Sequence, residues 1–282
     1  MRIGVVKVAA LQTSREYALT CTVTGTMAGF SRHLVQQPSH RVSPMTWKAW
    51  IDGDLFDLET LGELFSAGDP LVVQDSSGSY YLQSAALQDP RSRVGLEVAQ
   101  ALVKCVNGAA RAIDRSFQPV SLTNRYTAPD GTGHVVVSVD AATARTKTKV
   151  VVTVTKNGAP VSQPPPKGPR YVKLAAQDPD VADALRILGQ SAPLDWYDIY
   201  KAVEIVEHAA GGARQIENRG WAMKADIDRL TASANHPGIS GDEARHARMK
   251  GTPGANRSMT MQEAEALVRR LVANWIESHP SY

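Results

Sequence analysis

Residues able to move protons or hold anions crowd into positions 229–250: Arg229, Asn235, His236, Asp242, Glu243, Arg245, His246, Arg248 and Lys250, with Arg257 soon after. A histidine gives and takes a proton near neutral pH. An arginine holds a phosphate through two parallel bonds and offsets charge that develops on it. Together they suit chemistry on a phosphodiester. Gly238 and Gly254 bound the stretch, and glycine lets backbone amides approach an anion closely. The expected site is therefore Arg245 and His246 at its centre, with Arg248, Lys250, Arg257 and Asn235 as anion or RNA contacts. Arg229 and His236 form a second Arg–His pair. Asp242 and Glu243 would repel phosphate unless they face away as first-turn residues of a helix. The plainer reading is a connector in which those acids cap a helix, Arg245 pairs with an acid and the backbone satisfies His246.

Helical patterns flank this stretch. Upstream, Asp195 precedes WYDIYKAVEIVEHAAGG, where Trp196, Ile199, Tyr200, Val203 and Val206 form one apolar face and Gly211-Gly212 ends it. Another helix is expected from about Ala222 to Ala234. Downstream, Thr260 and Glu263 make a capping box for a last helix whose buried stripe runs through Ala264, Leu267, Val268, Leu271 and Trp275. Pro179 starts an earlier helix that Gly189 ends. Part of the last helix's face, at Val268, Leu271 and Trp275, is expected to remain free for a symmetric partner.

The order of a Tyr200-Lys201-Ala202-Val203-Glu204 helix, a further helix, an Arg/His-bearing segment and a final helix resembles HEPN domains. The resemblance covers residues 190–280. It implies a small antiparallel helical bundle, often dimeric, of the kind found in bacterial toxins and phage-defence proteins. Catalytic members cut RNA without a metal, using an arginine and a histidine a few residues apart. Arg229 and His236, with six residues between them, have that spacing.

Before residue 160 the pattern is mixed. Trp47, Ala49 and Ile51 alternate as a strand with one buried face. Asp57 is expected to cap a short helix through Leu58, Leu61, Leu64 and Phe65, which Gly68-Asp69-Pro70 stops. Leu71–Val73 and Tyr80–Leu82 flank a turn at Asp75–Gly78, a hairpin signal. Residues 92–114 read as a helix. Two β-rich runs follow, one from His134 and one ending at Asn157-Gly158. The second carries Arg145, Lys147, Lys149 and Lys156, which suit either a phosphate-touching face or an edge strand protected by lysines, with no aromatic residue interleaved.

The segment VSQPPPKGP suits neither helix nor central strand and reads as a stiff linker. The fold class is thus α+β. Residues 1–44 form a leader, 45–157 a mixed α+β domain with an antiparallel sheet, 158–170 a Pro-rich linker and 171–282 an all-helical domain. The leader is poor in acids, and Met45 is an alternative start; the other reading is a loosely attached N-terminal strand.

Composition narrows the function classes. Of 282 residues, 43% are hydrophobic and 21% charged, enough for a packed core and against wholesale disorder. The formal charge of +3 demands no nucleic acid at whole-chain level. No apolar run reaches the roughly 20 residues that span a bilayer, so no membrane is expected. Cys21 and Cys105 read as free thiols of a cytoplasmic protein. The sequence has no phosphate loop, dinucleotide fingerprint, zinc spacing or Gly-x-Ser-x-Gly elbow, and no cofactor or metal is expected. Three functional readings follow. The first is an RNA-directed, metal-independent HEPN-like ribonuclease of toxin or phage-defence type. The second is a non-enzymatic dimerisation or partner-binding module whose α+β part recognises something else. The third is an unrelated enzyme with a site between its two parts.

Overall fold

The computed structural model describes residues 17–23, 46–136, 150–156, 159–160, 165–244 and 258–280. In chain order the elements begin with β1 (Tyr17–Val23), β2 (Lys48–Asp52), α1 (Leu55–Leu64), β3 (Leu71–Gln74), β4 (Tyr80–Gln83) and α2 (Arg93–Ile113). There follow β5 (Ser121–Thr127), β6 (Gly133–Val135), β7 (Val150–Lys156) and β8 (Ala159–Pro160). The remainder is helical: α3 (Gly168–Ala175), α4 (Pro179–Leu188), α5 (Trp196–Ala210), α6 (Ala213–Asn218), α7 (Lys224–Asn235), α8 (Pro237–Ser240) and α9 (Met261–Glu277). The class is α+β, with every strand pairing antiparallel.

The chain divides into two units, and the smaller comprises residues 1–42 and 144–165. In it β1 pairs with β7 from Tyr17↔Lys156 to Val23↔Val150, and β8 pairs with the end of β7. Threonine alternates with leucine, cysteine and valine in β1 and with valine in β7, a pattern that favours extended backbone. The leader thus contributes a strand. Of the four basic residues singled out before Asn157, Lys156 lies in β7, while Arg145, Lys147 and Lys149 lie outside the described residues.

The larger unit comprises residues 43–143 and 166–282. Its sheet runs β3-β4-β2-β5-β6. Ala49, Ile51, Val72, Tyr80, Leu82 and Tyr126 fall on one face and are buried. The expected hairpin is present, with the Asp75 carboxylate accepting from the Ser77 and Ser79 amides across the turn. Helix α1 starts one turn earlier than expected, because Asp54 rather than Asp57 caps it, accepting from Phe56 N at 2.9 Å. Asp57 is 2% exposed, and its Oδ1 accepts from Gln118 N at 3.1 Å. It ties α1 to the segment leading into β5. Buried Asn107 on α2 holds the same segment by bonding both Val120 O and Val120 N.

The boundary placed at residues 158–170 does not separate two cores. Gly108 of α2 lies so close to α4 that a Cβ there would be 2.0 Å from Leu185 O, and one at Gly189 would be 1.8 Å from Lys104 O. The missing side chains let the two backbones meet. Arg111, buried on α2, donates to Leu188 O at 2.8 Å and Gln190 O at 3.1 Å, capping the end of α4. Buried Arg269 of α9 donates to Arg115 O at 2.7 Å, just past the end of α2. The helices after the Pro-rich segment therefore complete the hydrophobic core that the sheet and α2 begin. Helix α3 starts at Gly168, inside the range expected to be linker.

The later helices follow their sequence signals. Asp178 and Asp195 cap α4 and α5, and Gly211 ends α5 with φ 86°. Thr260 and Glu263 form the expected capping box on α9. The α9 stripe leaves no free face, however: Val268 and Leu271 are fully buried and Trp275 is 3% exposed, all within this chain. Among the described residues, no helix is long and apolar enough to cross a membrane.

Candidate nucleic-acid interface

Arg229, in the middle of α7, faces the start of α9. Its Nη2 and Nε donate to Ser258 O at 2.8 and 3.2 Å, with Asp226 Oδ1 at 3.5 Å and Glu263 Oε1 at 3.8 Å. One turn on, the buried Ser233 hydroxyl donates to Arg229 O and accepts from Met259 N at 2.8 Å. Arg229 and Ser233 thus fasten the segment entering α9 onto α7. His236 is 5% exposed and caps α8, its Nδ1 accepting from Gly238 N at 3.0 Å. That bond puts the proton of the neutral ring on Nε2. Asn235 ends α7, and its Oδ1 is buried with no hydrogen-bond partner among the described residues. Arg245, His246, Arg248, Lys250 and Arg257 lie outside the described residues.

Asp242 and Glu243 fall in a 3-10 turn, and Glu243 Oε2 accepts from Trp196 N at 3.2 Å, adding a second carboxylate to the start of α5. Hydrogen bonds from the Thr260 amide and hydroxyl hold the Glu263 carboxyl below its ordinary range. Trp196, Arg229, Ile239, Met259, Thr260 and Glu263 border an open cavity of about 590 Å³. All of its lining comes from residues 196–263, so it is not the cavity between sheet and helices that an unrelated enzyme would use. Tyr200 and Lys201 lie half-buried on α5 and Glu204 is exposed.

The second constellation lies on the sheet, on the face turned away from α1 and α2. Alternation along β2 places Lys48 and Trp50 there, opposite the buried Ala49 and Ile51. Register places Gln83 beside Lys48 and Tyr81 beside Trp50 on β4. On the other side, β5 bulges: Ala49 pairs with Tyr126 and Ile51 with Leu122, leaving residues 123–125 opposite Trp50. The bulge carries Arg125 over the indole, its Cζ 4.7 Å from the ring centroid. Lys48 Nζ lies 4.6 Å from the centroid of the Tyr81 ring. The two rings meet edge to face at 5.3 Å and 60°. Trp50 Nε1 donates to Thr127 Oγ1 at 3.0 Å, fixing the indole from its edge. Arg125 is exposed, Trp50 and Lys48 half-buried, and Tyr81 9% exposed. Val135, paired with Arg125 on β6, is 74% exposed.

No carboxylate among the described residues forms an ion pair with Lys48 or Arg125. Arg125's field reaches Asp75: hydrogen bonding from Ser77 chiefly, and Arg125 to a lesser degree, holds the Asp75 carboxyl below the ordinary range. The face therefore offers two flat rings and two cations whose charge no bonded acid cancels. Flat rings beside cations are what unpaired bases and their phosphates bind to.

The sequence reading missed this face. Its residues stand on three strands, and only register brings them together. The one legible signal was the alternation Lys48-Ala49-Trp50, whose buried half was recognised and whose outer half was not. Cys105, by contrast, is a free thiol as expected, and burial pushes it up to about 12.

Compared with family models, curated proteins and solved structures, the chain matches none.

Proposed function

We propose that the protein binds single-stranded RNA on its five-stranded sheet, as a binding module rather than a nuclease. The single observation that carries this reading is the Lys48–Tyr81 and Arg125–Trp50 constellation on one sheet face. Aromatic stacking of a base contributes about 1–3 kcal/mol per ring and tolerates any sequence. Cations beside the rings add a phosphate contact that weakens with salt. The structural duties of Arg229 and His236 favour binding over cutting, since one fastens α9 and the other caps α8. The cationic residues Arg245, His246, Arg248, Lys250 and Arg257 are a second candidate contact along the same RNA.

Anisotropy of a labelled single-stranded RNA tests the reading. Replacing Trp50 by leucine should weaken binding about 10-fold or more, as expected for one lost stacking contact. RNA incubated with the protein in the absence of metal should stay intact. Unchanged affinity in Trp50→Leu, with affinity lost in an Arg245→Ala/His246→Ala variant, would move the site to the loop. Metal-free cleavage that His236→Ala abolishes in a folded protein would restore the nuclease.

A further inference from the structure

We propose that Lys48 and Arg125 change partners when RNA binds: each leaves the aromatic ring it covers for a phosphate, and an unpaired base takes its place on that ring. This rests on the RNA-binding reading and adds the form of the ligand, a step of two adjacent unpaired nucleotides.

The geometry gives three grounds. First, the ring faces that would stack bases already carry cations, Lys48 Nζ at 4.6 Å from the Tyr81 centroid and Arg125 Cζ at 4.7 Å from the Trp50 centroid. A base can stack there only if the cation moves. Tyr81 is only 9% exposed, and Lys48 is part of its cover. Second, the cations are free to move. Neither is held by a carboxylate among the described residues, and a cation over a ring at the surface is bound more weakly than one on a phosphate. Leaving a ring for a phosphate trades a weak contact for a stronger one and opens the ring in the same motion. Third, the rings take two bases and not one. A base clasped between two rings needs them about 7 Å apart and parallel, twice an aromatic contact distance. Trp50 and Tyr81 are 5.3 Å apart and inclined at 60°, so each offers its own face. The charges also set where the phosphates lie. Asp75 and Asp52 stand at the end of the face away from Lys48 and repel phosphate there, which leaves the Lys48 end and the Arg125 bulge for the backbone.

In this exchange duplex RNA is excluded, because paired bases present no free faces to the rings. The sugar is not part of it, so DNA of the same sequence satisfies the same chemistry.

The test measures affinity of the full chain for a labelled single-stranded RNA, the matching DNA and the RNA duplex across a salt series. Each phosphate held on a single strand contributes about 0.7 to the slope of log affinity against log salt. Lys48→Gln and Arg125→Gln should each lower the slope for single strands by about that amount, and the double variant by about twice it. RNA should quench the indole emission of the wild type, and Trp50→Phe should remove that quenching. If the double variant keeps both the slope and the affinity, with quenching intact, the exchange is wrong and the RNA-binding reading stands. If no single strand binds, or the duplex binds as well as the single strand, the reading itself falls. Equal binding of DNA upholds the exchange and removes the restriction to RNA.

Discussion

Arg229 shows how one side chain of catalytic type can be fully employed by the fold. Its guanidinium has two donors on the Ser258 carbonyl, which lies in the segment entering α9. Replacing it by alanine leaves that carbonyl without its charged partner and should cost about 1.5–3 kcal/mol. Thermal melting should show this as a lower Tm, with affinity for RNA preserved. An unchanged Tm together with lost RNA binding would instead make Arg229 a ligand contact. The sequence could not distinguish the two roles. Type and spacing identify a residue able to hold a phosphate, and a backbone carbonyl is an equally good acceptor, invisible until the chain is folded. His236 is the same case, since a ring nitrogen that caps a short helix looks from the sequence like one that awaits a substrate.

At the scale of elements, legibility followed how local the determining contact was. Helices α4, α5 and α9 each carry a cap within three residues of their first turn, and all three were readable. The β3–β4 hairpin was readable from its turn. Strand β5 was not expected, because SLTNRYT alternates poorly and the bulge opposite Trp50 breaks its register. Helix α3 was hidden by the prolines before it, although Pro169 sits in its first turn, where proline is tolerated. The contact least visible in sequence is the crossing of α2 and α4, which depends on two glycines. Gly108→Ala must push Leu185 O back from 2.0 Å. The obstacle is backbone, so the helices themselves must separate. Overpacking of this kind costs about 1–3 kcal/mol or more. Chemical denaturation should show a lower midpoint for Gly108→Ala, whereas Gly131→Ala, with open space around its Cβ position, should suffer only from the positive φ of that turn.

For the whole molecule, the shared core changes what counts as a domain. Sequence composition changes sharply at the Pro-rich segment, yet Arg111 and Arg269 each bond across the divide it suggests. A fragment of residues 171–282 would lack α2, the partner of Gly189 and the cap on the end of α4. Expressed alone it should show no cooperative melting transition, while the full chain unfolds residues 43–143 and 166–282 together. A sharp, independent transition for the fragment would restore the boundary. Composition marks where a chain changes character, and only burial marks where one core ends.

The Arg111–Leu188 contact joins residues 77 apart. A ribosome adds about 5–20 residues per second, so α2 leaves it roughly 4–15 seconds before the end of α4 has been made. During that interval the nascent chain holds Val103, Val106 and Ala110 without the surface they finally pack on. Residues 144–165, belonging to the smaller unit, are synthesised within the same gap. Unit boundaries and the order of synthesis are therefore out of step in this chain. Its larger core closes only after the smaller unit's last strand has been translated, and any factor that shields apolar helices on the ribosome would meet α2 first.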